Sequence, residues 1–171
     1  MAISGDIALV GAPGNSGAAR RSGAAYVFVG SATGWSQQAK LLPSDGEAYN
    51  GVGTSVAING DTAVVGSPFK DSGGSSEGSA YFFVRRSATW TEAAKLTASD
   101  GELARPFGIS VGMHESTLVV GALRGKNAGI ESGLAYVYDF CVSRRLPTRF
   151  PTARIPRIPD RLIALCQEGR L

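Results

Sequence analysis

Several short constellations in this chain carry residue types that do chemistry elsewhere. Gly108-Ile109-Ser110-Val111-Gly112 has the Gly-x-Ser-x-Gly spacing of a nucleophile elbow, where a sharp strand-to-helix turn offers a serine to a histidine base. His114 is the single histidine of the chain, so any imidazole base or ligand must be that residue. Gly121-Ala122-Leu123-Arg124-Gly125-Lys126 resembles a phosphate-cradling loop, but its spacing is one residue short and Asn127 stands where a Ser or Thr is needed. Asp45-Gly46-Glu47 and Asp100-Gly101-Glu102 each pair two carboxylates, the residue type of glycosidic acid–base work, and Asp6 and Asp61 add single ones. Trp35 and Trp90 offer flat faces on which sugars could stack, and Arg20-Arg21 and Arg85-Arg86 offer charge.

The spacing of these residues decides how to read them. Ala25-Tyr26, Ala80-Tyr81 and Ala135-Tyr136 lie 55 residues apart, twice over. The same step of 55 carries Val10-Gly11 onto Val65-Gly66 and Val120-Gly121, and Trp35 onto Trp90. It also carries Ala39-Lys40-Leu41 onto Ala94-Lys95-Leu96 and Ser44-Asp45-Gly46 onto Ser99-Asp100-Gly101. No gap is needed. A fixed period of this length is the mark of a repeat architecture. A catalytic site is built once, so acids and tryptophans that recur in each copy read as turn formers and packing residues. The elbow motif fails the same test, because its equivalent, Gly53-Thr54-Ser55-Val56-Ala57, leads into a strand with no helix after it. His114 aligns with Asn59 and Ser4 at a hairpin turn.

One unit reads as four strands. Ser55-Val56-Ala57-Ile58 alternates, Asn59-Gly60 supplies a two-residue hairpin turn, and Thr62-Ala63-Val64-Val65 returns. A polar loop precedes Ala80-Tyr81-Phe82-Phe83-Val84, and Trp90 to Leu96 forms the fourth strand. The second and third strands are apolar on both faces, with Tyr81 and Phe83 pointing one way and Phe82 and Val84 the other. A sheet wetted on one side alternates instead. Double-sided burial at a fixed repeat predicts sheets stacked face to face, which is an all-β, partial β-propeller of about three four-stranded antiparallel blades. Residues 1–50 form the first blade, 51–105 the second and 106–140 the third, whose last strand is expected to be missing. In the first copy, Met1 falls where Val56 sits in the second, inside a strand.

Composition agrees with that picture and removes some function classes. Residues 1–140 carry 10 Lys/Arg against 12 Asp/Glu, whereas residues 141–171 carry 7 Arg against 2 acids. The basic balance belongs to the tail alone, and no nucleic-acid partner is expected. Cys141 and Cys166 also lie in that tail, so the repeats hold no thiol for a disulfide or zinc site. No secretory signal heads the chain, and no apolar run nears the roughly 20 residues of a spanning helix, so membrane insertion is not expected. Pro147, Pro151, Pro156 and Pro159 predict an irregular basic tail over residues 141–171, with a short helix between Asp160 and Glu168. Apolar blade faces without neighbours predict self-association or further blades.

Phe107-Gly108, Gly11-Ala12-Pro13 and the degraded Gly66-Ser67-Pro68 and Gly121-Ala122-Leu123 make the units resemble FG-GAP repeats, the blades of integrin α-subunit head propellers. The Gly-Ser-Ala-Tyr and Trp-x-x-x-Ala-Lys-Leu segments are similar to the bacterial variety, over residues 1–140. The resemblance implies a parent propeller of about seven blades, within the range of closed propellers. It implies a non-catalytic binding or adhesion module at the cell surface or outside the cell. The implied partner is a protein or carbohydrate ligand held by the blade loops, and the alternative is an accessory propeller of a larger extracellular hydrolase. Calcium, which many family members bind between strands two and three, is not expected. The loops at residues 14–21, 70–77 and 124–131 lack the alternating Asp/Asn oxygens that a hard cation requires, Asp71 with Glu77 being the nearest approach. No catalytic residue, cofactor or metal site is therefore assigned.

Overall fold

Apolar runs rich in β-branched and aromatic residues, several closed by glycine turns, become strands in the computed structural model, which describes residues 1–69, 77–98, 104–127, 130–143 and 162–170. The first sheet holds β1 (Ala2–Ser4), β2 (Ile7–Ala12), β3 (Ala24–Ser31) and β4 (Gly34–Leu41). The second holds β5 (Ser55–Asn59), β6 (Thr62–Ser67), β7 (Ser79–Arg86) and β8 (Thr89–Leu96). The third holds β9 (Ala104–His114), β10 (Thr117–Asn127), β11 (Ile130–Ser143) and β12 (Leu162–Arg170). Each is antiparallel in chain order. The chain is all-β, three blades of a β-propeller, as the period predicts.

Equivalent residues do equivalent work. Gly30, Arg85 and Phe140 each donate a backbone hydrogen bond to the carbonyl of the hairpin turn behind them, at Asp6, Asp61 and Ser116, over 2.7, 2.7 and 2.9 Å. The hairpin turn itself sits one residue later than expected. Asn59 pairs with Thr62, so Gly60 and Asp61 are the central residues, and of these Gly60 alone is left-handed, at φ 54°. Gly5 and Glu115 hold the same position, at φ 59° and 50°.

Burial shows the stack directly. In β6 every residue is buried, because the second sheet has a neighbour on both sides. One face sends Ile58, Ala63, Val65, Tyr81 and Phe83 against Ile7, Leu9, Val27 and Leu41 of the first sheet. The other sends Val64, Ala80, Phe82 and Leu96 against Phe107, Leu118, Val120, Tyr136 and Phe140 of the third. Aromatic rings meet there at centroid distances of 5.0 Å (Phe82–Phe140) and 5.2 Å (Phe107–Tyr136). Among the described residues, the outer sheets are covered on one side only. Leu9 and Val64 are fully buried while their equivalent Val119 is 38% exposed. Tyr81 and Tyr136 occupy equivalent buried settings.

The joint between sheets is glycine-made. Gly53 and Gly108 open the second and third units at φ 89° and 84°, a region that side chains avoid. They lie so close over Gly11 and Gly66 that a Cβ on either of the latter would overlap the facing carbonyl. Ser55 Oγ donates to the Gly108 carbonyl at 2.8 Å, and Val52 and Phe107 bridge back to Gly23 and Gly78 of the preceding sheet. On the third sheet the corresponding place, around Ser110, Val119 and Gly121, is an open groove of about 610 Å3.

The end of the chain departs from expectation. The third sheet is not short of its fourth strand. Leu162–Arg170 supplies one, out of register with the period, pairing Tyr136 with Arg170 and Ser143 with Leu162. The short helix expected over Asp160–Glu168 is therefore replaced by strand from Leu162 onward, and the tail is not irregular throughout. The physical reason is the free edge of β11, a row of unpaired backbone donors and acceptors. Leu162-Ile163-Ala164-Leu165-Cys166 is apolar enough to add to it. The proline-rich stretch around Pro147 to Pro159, the loop holding Asp71 and the Ser99-Asp100-Gly101 turn lie outside the described residues.

Candidate functional site

The residues with catalytic appearance are placed apart. Ser110 and His114 lie on one strand, β9, opposite Gly121 and Thr117 of β10. Four residues of extended chain separate them by roughly 13 Å, far beyond a hydrogen bond. Both are exposed, and no helix follows the serine. Gly121 to Lys126 run inside β10, so the glycine-lysine segment has no loop or helix start on which to hold a phosphate. Among the described residues no group of three His, Cys, Asp or Glu could hold a metal ion, and no helix is long and apolar enough to cross a membrane.

The repeated acids and aromatics build the joint instead. Asp45, in the turn leaving the first sheet, accepts from Tyr81 Oη at 2.7 Å and from Lys95 Nζ at 2.7 Å, both on the second sheet. Ser44 donates through its backbone N and Oγ to Glu92, at 2.7 and 3.1 Å. Burial pushes the Tyr81 phenol well above its ordinary value, and the hydrogen bond to Asp45 with the Asp45 and Glu92 charges pushes the same way. Trp90 Nε1 donates to Gln38 Oε1 of the first sheet at 3.0 Å, with Arg85 over its ring. Trp90 is thus an inter-sheet packing residue. Asp61 pairs with Arg85 at 2.8 Å beside its hairpin turn.

A different surface has the makings of a ligand site, on the rim where the β2–β3 loop, the β4–β5 connection between sheets and the start of the β6–β7 loop meet. Tyr49 and Phe69 are 53% and 52% exposed, the Arg20 guanidinium sits 6.0 Å from the Tyr49 ring centroid, and Tyr49 N donates to the Arg20 carbonyl. Phe69 N donates to the Asn50 carbonyl at 3.2 Å, and the Phe69 ring lies against Gly51. Tyr49 and Arg21 are left-handed at φ 64° and 51°, strain that side-chain-bearing residues keep only where the surroundings impose it. Asn50 is 2% exposed beside the patch, and among the described residues its amide Nδ2 has no hydrogen-bond partner. Such an orphan costs about 1–3 kcal/mol. Two aromatic faces with a guanidinium can hold a sugar ring or an apolar side chain beside an acidic group.

Sequence reasoning passed over Tyr49, Asn50 and Phe69. The available signal was departure from the repeat: adding 55 to Tyr49 reaches Ala104, and to Phe69 reaches Arg124. Residues that break a period are free of its packing duties. The FG-GAP repeat family model matches the chain over residues 1–28, 35–83 and 90–138. The second matched segment contains both Asp45 and Tyr81, so the family's unit spans the joint between two sheets. No curated protein matches the chain.

Proposed function

The chain belongs to the FG-GAP repeat family, and on that premise we propose that it is a non-catalytic binding module whose ligand sits on the Arg20–Tyr49–Phe69 rim. The observation that carries this reading is the pair of exposed aromatics at non-repeating positions, Tyr49 with a strained backbone, beside a buried amide that has no partner among the described residues. The strands of such a module are spent on holding sheets together, and the rim is what remains to differ between blades. The ligand class is a protein or carbohydrate surface, and the setting is the cell surface or the extracellular space, as the family resemblance implies. Adhesion follows if several such rims act together.

The test is a glycan and protein array screened with the full chain. Hits should be lost on Tyr49→Ala and Phe69→Ala, with each variant's melting temperature unchanged, and kept on Trp35→Ala, which alters an exposed aromatic away from this rim. Hits indifferent to both rim substitutions would sink the proposal.

A further inference from the structure

Arg20 and Arg21 are the two central residues of a tight turn in the β2–β3 loop. Ser22 N donates to the Ala19 carbonyl at 3.2 Å across them, and Ala19 N donates to Ser22 Oγ at 3.2 Å. Arg21 N donates to Ser16 Oγ at 3.3 Å, and Gly23 N closes the loop on the Asn15 carbonyl at 2.8 Å. The turn therefore presents two adjacent guanidiniums from a fixed backbone, with Arg21 left-handed at φ 51°. Both are exposed. Among the described residues, neither has a carboxylate within ion-pair reach, whereas Arg85 has Asp61 and Lys95 has Asp45. The charge is also peculiar to this unit: Ser75-Ser76 stand one period on, and Ile130-Glu131 two periods on.

We infer that the ligand of this rim is an acidic saccharide, its carboxylate held by the Arg20-Arg21 turn and its ring stacked on Tyr49. The inference rests on the rim reading above and names the class of ligand. A guanidinium is a planar, permanently charged fork that matches a carboxylate with two parallel hydrogen bonds. Tyr49 is fixed against that fork, since its N donates to the Arg20 carbonyl at 3.1 Å and its ring centroid lies 6.0 Å from the guanidinium. A ligand touching both must carry negative charge directly beside a flat apolar face. A uronic acid does so, because its carboxylate is attached to the pyranose ring itself. An acidic peptide carries its carboxylate on a flexible stem that must be ordered on binding, and offers no such face. Exposure points the same way. Tyr49 is 53% exposed, so an apolar side chain laid on it stays wet on its outer side and gains only part of its burial. A pyranose suits an open platform, with C–H groups on one face and hydroxyls left in water. Phe69, whose ring lies against Gly51, offers a second platform for the next sugar of a chain.

The full chain is titrated calorimetrically with three soluble polymers of matched length: oligogalacturonate, its methyl ester and polyglutamate. The ester keeps the rings and loses the charge, and polyglutamate keeps the charge and loses the rings. Oligogalacturonate should bind about tenfold more tightly than either, the effect of one charge-assisted hydrogen-bonded pair. Added salt should weaken the acid's binding and leave the ester's alone. These comparisons need no variant. Arg20→Ala should then bring the acid's affinity down to the ester's, and Arg20→Lys should recover only part of the loss, because an ammonium has no fork. An ester bound as tightly as the acid overturns the inference, and if Tyr49→Ala abolishes that binding the rim still stands as a site for neutral sugars. Polyglutamate bound as tightly as oligogalacturonate assigns the turn to acidic peptides, which also overturns it. So does an oligogalacturonate that does not bind, and array hits indifferent to Tyr49→Ala and Phe69→Ala would remove the rim reading as well.

Discussion

At the scale of single residues, the most consequential contact is the one between Tyr81 and Asp45. The phenol is buried, accepts no charge easily, and donates to a carboxylate that Lys95 also holds. Its pKa in the fold lies above the ordinary tyrosine value of 10.0. A group whose folded pKa is raised adds stability that is fully present below the unfolded value and lost as pH climbs through the folded one. Folding should therefore weaken steadily once pH passes about 10. Urea midpoints at pH 8 and pH 11 measure the loss, and Tyr81→Phe should flatten the difference. The same variant should cost only about 1 kcal/mol at pH 8, since Asp45 keeps Lys95 and is wet enough to recruit water. Lys95 itself contributes little, because the pair is about a third exposed and screened.

Elements carry the next layer of the explanation. What fixes a sheet's place against the one before it is the glycine that opens its unit, as Gly108 does for the third. Gly108 has φ 84°, and a Cβ built on it would overlap the Ser79 carbonyl of the neighbouring sheet. Gly108→Ala should cost more than about 3 kcal/mol, combining backbone strain with a clash that the backbone itself must relieve. Gly112→Ala, on the same strand with nothing near its Cβ position, should fall within about 0.5 kcal/mol of the parent. Thermal or urea unfolding of the two variants makes the comparison. Elements were also where most of the structure could be read in advance. The four strands of a unit, the two-sided burial of Tyr81 to Val84 and the packing role of Trp90 all follow from alternation and period. Three features did not. The hairpin turn is centred on Gly60-Asp61, because the pairing of Asn59 with Thr62 is set by the sheet and not by the dipeptide's own preference. β12 lies off the period, so only the free edge of β11 could announce it. The rim at Tyr49 and Phe69 is invisible to any method that looks for repetition, since its residues matter by not repeating.

For the whole molecule, the governing fact is that three nearly identical sheets have different numbers of neighbours. Stability in such a stack is a sum of unit and interface contributions, so one residue type at one repeat position should count differently along the chain. Leu9, Val64 and Val119 are equivalent, and the first two are fully buried while Val119 is 38% exposed. Removing two buried methyl groups forfeits about 0.8 kcal/mol each in transfer and adds a cavity, so Val64→Ala should cost about 2 kcal/mol. Val119→Ala touches water on its outer side and should cost less than about 0.5 kcal/mol. Urea midpoints of the two variants decide the matter, and equal losses would mean that the face of the third sheet is covered in solution. That outcome has a specific structural meaning, because Val119 borders the groove at Ser110 and Gly121 where the entry glycine of a following unit would lie, as Gly108 lies over Gly66. A blade added there in register should raise the cost of Val119→Ala to that of Val64→Ala. The substitution thus reports, from inside the sheet, whether the stack has ended.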